Sequence, residues 1–77
     1  MQNNVSDITP EYLNDKQSGL LLGGLSAKTM RNSRVRGTLL GHEAPPWVKL
    51  GCLVRYRRHD LLEWIERNAV ECRAAQG

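Results

Sequence analysis

The sequence contains no phenylalanine, and its aromatic complement is two tryptophans and two tyrosines. A chain of 77 residues buries only about 60% of the surface its unfolded form exposes. With so few large rings its core is small, which argues against a deep catalytic cleft walled by apolar side chains. Cysteine is scarce too: Cys52 and Cys72 stand far apart, with no Cys-x-x-Cys pair. That excludes a dense disulfide framework and predicts free thiols in a reduced, cytoplasmic protein. The cysteines and the two histidines, His42 and His59, have no zinc-ligand spacing, so neither metal nor cofactor is expected. No apolar run approaches the roughly 18 residues of a membrane span, and the N-terminus lacks the regions of a secretion signal. Neither paired carboxylates nor a nucleophile beside a base has the spacing of a catalytic site, so an enzyme is not expected.

The middle of the chain also lacks acid. From Lys28 to Arg58 eight basic residues (Lys28, Arg31, Arg34, Arg36, Lys49, Arg55, Arg57 and Arg58) face a single acid, Glu43, a balance of +7, while the remainder of the chain sums to −4. This asymmetry points to a polyanionic partner on one side of the molecule.

The organisation is that of a tail, one small domain and a frayed end. Residues 1–11 read as a flexible N-terminal tail, 12–69 as the folded domain and 70–77 as a loose C-terminus. A first helix is predicted over about 14–22, capped by Asn14 or Asp15. Ser18, Leu21, Leu22 and Leu25 form its buried face. Gly19 inside it predicts the close crossing of another helix. Gly23-Gly24 ends the helix, and Ser26 caps a second one over about 27–35. Two helices joined by a tight turn make a helix-turn-helix layout.

The second helix turns Met30 and Ser33 inward and Lys28, Arg31, Asn32 and Val35 outward. Arginine pairs bidentately with guanine and asparagine with adenine on major-groove edges, so this acid-free face suits duplex DNA. Residues 37–46 read as a loop in which Leu39-Leu40 pins back to the core. Residues 47–50 and 53–56 flank Gly51-Cys52 and predict a β-hairpin with a type II′ turn. Val48, Leu50, Val54 and Tyr56 are expected on its core face and Lys49 and Arg55 outward. A hairpin tip beside such a helix can lie along the DNA backbone, with Arg55, Arg57 and Arg58 supplying charge to phosphates. A last helix over about 59–69 buries Leu61, Trp64 and Ile65 and exposes Asp60, Glu63 and Glu66, with Glu63 and Arg67 spaced to pair.

The ordered set from Leu13 to Ile65 resembles the short excisionase and AlpA-like phage regulator proteins. Three pieces carry the likeness: Leu22-Gly23 with Ser26, Thr29-Met30-Arg31-Asn32 and Arg34; Pro45-Pro46-Trp47-Val48-Lys49-Leu50-Gly51 with Val54-Arg55-Tyr56; and Arg57-Arg58-His59-Asp60-Leu61 with Trp64-Ile65. The resemblance implies a mainly α fold with a small β-hairpin: a MerR-like winged helix-turn-helix of three helices plus a wing. It also implies sequence-specific binding of double-stranded DNA as an excisionase-type directionality factor of a prophage or integrative element. An integrase partner and cooperative self-association on DNA would accompany that role. The alternatives are an AlpA-like promoter-binding regulator and, without DNA contact, a protein-binding adaptor. No membrane and no small-molecule ligand are implied. Carried to matching positions, the helix contacts are Lys28, Thr29, Arg31, Asn32 and Arg34, with Arg36 from the basic run. The wing contacts are Lys49, Gly51, Cys52 and Arg55. The chain departs from the family pattern at Ser33, where tryptophan is usual and where Trp47 is expected to fill the space. It departs also at Ser18-Gly19, where paired alanines are common, and at Cys52.

Overall fold

A computed structural model describes residues 10–72. Most of the expected tail (1–9) and of the expected frayed end (73–77) lies outside the described residues. The element order is β1 (Tyr12–Leu13), α1 (Asp15–Leu21), α2 (Ala27–Arg36), β2 (Thr38–Leu39), β3 (His42–Glu43), β4 (Val48–Leu50), β5 (Leu53–Arg57) and α3 (Arg58–Asn68). Three helices with small antiparallel sheets make this an α+β fold.

Local chemistry accounts for the helix ends. Asn14 caps α1: its side chain accepts from the Gln17 amide at 2.8 Å, and the Gln17 side chain accepts from the Asn14 amide at 2.9 Å. This reciprocal box satisfies two of the free donors at the helix start. Ser26 caps α2 by accepting from the Thr29 amide at 3.1 Å. Between the helices, the Gly24 and Leu25 amides both donate to the Gly19 carbonyl at 2.9 Å. Gly19 therefore serves a close approach, but the approaching group is the Leu25 backbone, directly over the position a Cβ would take, and not the crossing helix expected.

The larger sheet has the order β1-β5-β4, all antiparallel, and β2-β3 forms a separate ribbon. The β4–β5 turn follows the II′ pattern: Gly51 takes φ +65° while Cys52 stays at negative φ, and the glycine carries the left-handed position without a Cβ penalty. The register corrects the expected faces. Val48 pairs with Arg55, Lys49 with Val54 and Leu50 with Leu53, and directly opposed residues share a face. Val54 and Tyr56 therefore share the core-facing side with Lys49, whereas Val48 and Leu50 lie on the opposite side with Leu53 and Arg55. Leu13, opposite Tyr56, joins the core side. The two-residue strand β1 was not expected, and Glu11 is drawn in with it, its carbonyl accepting from the Arg58 amide at 2.8 Å.

The core is Leu13, Met30, Leu39, Tyr56, Leu61 and Trp64. Trp64 anchors α3 as expected, its Nε1 donating to the Glu43 carbonyl at 2.7 Å. That bond ties α3 to the β2–β3 ribbon, which occupies the segment read as a loop. Of the expected Leu39-Leu40 pin only Leu39 is buried; Leu40 is 62% exposed. Glu63 lies 3.6 Å from His59 instead of pairing with Arg67. Trp47 is 43% exposed and lies outside the core cluster. No helix among the described residues is long and apolar enough to cross a membrane.

Candidate nucleic-acid interface

Helix α2 packs through Met30 and Ser33, both buried. Ser33 spends its hydroxyl on the Met30 carbonyl at 2.7 Å. The opposite surface exposes Lys28, Arg31, Asn32, Val35 and Arg36, with the apolar Val35 left 88% bare. These positions wind into one face because side chains three and four residues apart stand together on a helix. No acid lies in the helix, and Lys28 sits in its first turn, where the positive end of the helix dipole disfavours a cation. Among the described residues none of Lys28, Arg31 and Arg36 has a carboxylate within ion-pair distance.

Thr29 is half-buried. Its hydroxyl shares a hydrogen bond with Ser26 at 3.0 Å, so it supports the cap at the rim of this face.

Arg34 does not belong to the face, which corrects its assignment as a DNA contact. It follows Met30 by four residues and turns inward with it. Its Nη1 donates to Asp15 Oδ1 at 2.6 Å and to the Tyr56 hydroxyl at 2.9 Å, and its Nη2 donates to Asp15 Oδ2 at 3.2 Å. The guanidinium also stands over the Trp47 and Tyr56 rings at 5.8 and 5.6 Å. The Asp15 hydrogen bonds raise its pKa above the ordinary arginine value. One side chain thus joins α1, α2, β5 and the segment entering β4.

The expected hairpin contacts divide between the two faces of the ribbon. Lys49 is exposed on the side where Tyr56 meets α2. Gly51 and Cys52 are exposed at the tip. Arg55 is half-buried on the far side, and its Nη1 donates to the Val54 carbonyl at 2.7 Å. Arg57, also on the far side, lies 3.4 Å from Asp60; its pKa is raised, first by the Tyr12 hydroxyl and next by the Asp60 charge. Arg58 is half-buried and lines an apolar cleft with Pro10, Leu13 and Leu20. Arg57 and Arg58 therefore sit at the base of the hairpin, beside β1 and α1. They do not extend the tip, as the expected wing contacts would.

Two features went unmarked in the sequence. Leu40 and Gly41 form the β2–β3 turn at φ +53° and +83°, the left-handed pair of a type I′ turn that usually calls for Asn-Gly. Beside it, Thr38 and Leu40 line a polar cleft with Thr29, Asn32 and Arg36 of α2. A Leu-Gly turn carries no such signature, so neither feature could be read from residue type. The chain matches no known family model, no curated protein and no solved structure.

Proposed function

We propose that this chain is a non-enzymatic winged helix-turn-helix protein that binds double-stranded DNA. Helix α2 enters the major groove and the β4–β5 ribbon serves as the wing. The observation that carries this reading is the outer face of α2. Lys28, Arg31 and Arg36 share it with Asn32 and no acid, without an ion-pair partner among the described residues. Lys28 also opposes the helix dipole and stands three residues from Arg31, both at a cost to the fold. A cost without an internal return marks a surface shaped by something outside the fold, and phosphate is the matching polyanion.

On this reading Arg31 and Asn32 meet base edges, which they can pair bidentately, and Val35 offers an apolar contact to a thymine methyl. Lys49 and the Gly51-Cys52 turn approach the adjoining backbone. Arg34 is a positioning residue: its bonds to Asp15 and Tyr56 set α2 against the ribbon. The resemblance to excisionase and AlpA-like regulators extends the proposal to a directionality factor working beside an integrase in the cytoplasm.

The test is a salt titration of binding to duplex DNA, followed by fluorescence anisotropy. About five to eight phosphate contacts give a log–log slope of about −4 to −7. Arg31→Ala should cost about 1–3 kcal/mol and relax base preference at one position. A flat slope, or Arg31→Ala binding like the parent, would remove the reading and leave the protein-binding adaptor in its place.

A further inference from the structure

The polar cleft between α2 and the β2–β3 ribbon places Arg36, Asn32, Thr38 and the rim hydroxyl of Thr29 around one opening, with the Leu40-Gly41 tip as its lip. Its chemistry is a guanidinium flanked by neutral donors, a combination that suits a singly charged tetrahedral oxyanion. The end of α2 contributes the negative end of its dipole, so the positive charge that holds an anion here comes from Arg36 alone.

Leu40 is the second observation. It is 62% exposed and sits at φ +53°, a region that non-glycine residues other than asparagine and aspartate seldom occupy. Most of its side chain stays in solvent and the remainder lies along an apolar cleft with Leu22, Trp64 and Ile65, so packing compensates the strain only in part. Strain that packing leaves uncompensated points toward a contact outside the fold.

We infer that the β2–β3 ribbon is a second DNA contact: its cleft takes one phosphodiester of the duplex backbone, and Leu40 rests against the neighbouring sugar. Arg36 supplies the charge, while the Thr38 hydroxyl donates to a phosphate oxygen and Asn32 beside it stays on the base edge. Glu43, opposite Thr38 in the register, is the one acid on the ribbon and restrains the affinity. The inference rests on the DNA-binding reading above.

The experiment measures full-length variants on a mixed-sequence duplex of about 20 base pairs at about 0.1 M salt, with Trp fluorescence confirming that each variant is folded. Arg36→Gln should weaken binding about five- to tenfold and flatten the salt slope by about one. Thr38→Val, which keeps the strand-forming shape, should weaken it about threefold with the slope unchanged. Because both act on one phosphate, the double variant should lose less than the product of the single losses. Glu43→Gln should strengthen binding. If Arg36→Gln and Thr38→Val match the parent while Arg31→Ala still weakens binding, the cleft is idle and only this inference falls. If Arg31→Ala is also silent, the DNA-binding reading falls and takes the inference with it. Inorganic phosphate is the control: if it shifts the Thr38 and Gly41 amide resonances while the duplex does not, the cleft is a small-anion site and the phosphodiester assignment is overturned.

Discussion

Neighbouring residues of α1 respond to opposite pressures. Replacing a helix-interior glycine by alanine ordinarily gains about 1 kcal/mol. At Gly19 the new Cβ would fall well inside contact distance of the Leu25 carbonyl oxygen, and that carbonyl belongs to the turn that sets α2 in place. Gly19→Ala should therefore lower stability by about 3 kcal/mol, the upper range for overpacking. One residue earlier, Ser18 is fully buried and its hydroxyl finds no partner among the described residues. Ser18→Ala should raise stability by about 1 kcal/mol by removing an unsatisfied polar group. Urea unfolding midpoints of the two variants should move in opposite directions, and a shift of both the same way would contradict this account of the turn. Some of this was legible: a glycine within a helical pattern signals a close approach. What approaches was not, because the Leu25 carbonyl comes within reach only once the turn is built. The inward face of Arg34 was legible and was overlooked. Its spacing of four from Met30 places it on the core side, whereas the resemblance to excisionase and AlpA-like proteins carries it over as a DNA contact.

Among the elements, α1, α2 and β5 meet at Arg34. The guanidinium makes a two-pronged bond to Asp15, a third bond to Tyr56 and two stacking contacts. Lysine keeps the charge but has neither the fork nor the planar face. Arg34→Lys should destabilise the fold by about 1–2 kcal/mol. Its salt slope on DNA should stay parental, because Arg34 touches no phosphate on this reading. A flattened slope in the folded variant would return Arg34 to the interface. The β4–β5 hairpin could be read from its Gly-containing turn between two β-rich arms, and that same two-residue turn already dictates that Leu50 opposes Leu53. The expected core face of Val48, Leu50, Val54 and Tyr56 mixed the two sides of one ribbon. Strands β1, β2 and β3 are two residues each, too short for alternation to register; β1 arises by pairing with the distant β5, and β2 and β3 by pairing with each other across the Leu40-Gly41 turn. Of the interface, the exposed face of α2 was visible as a spacing of cations. The cleft beside it was not, since it depends on a ribbon that residue types did not announce.

For the molecule as a whole, the distribution of charge matters more than its sum. The net charge is +3, too small to account for strong attraction to a polyanion. Helices α2 and α3 both turn their buried residues toward the same core, Met30 from one and Leu61 and Trp64 from the other, so their outer faces point apart. The outer face of α3 exposes Glu63 and Glu66. At physiological ionic strength charges are screened over about 8 Å, so acids beyond the core contribute little to a duplex held against α2. Neutralising Glu63 and Glu66 together by glutamine raises the net charge by two, yet should change DNA affinity less than about twofold. Neutralising Lys28 and Arg31 together lowers the net charge by two and should weaken binding more than about tenfold, because one phosphate contact and one base-edge contact are lost. Anisotropy titrations of both double variants at several salt concentrations separate the possibilities. Equal and opposite shifts would mean that the duplex responds to overall charge, with no oriented surface on this protein. A large effect confined to the α2 pair would tie the attraction to one face.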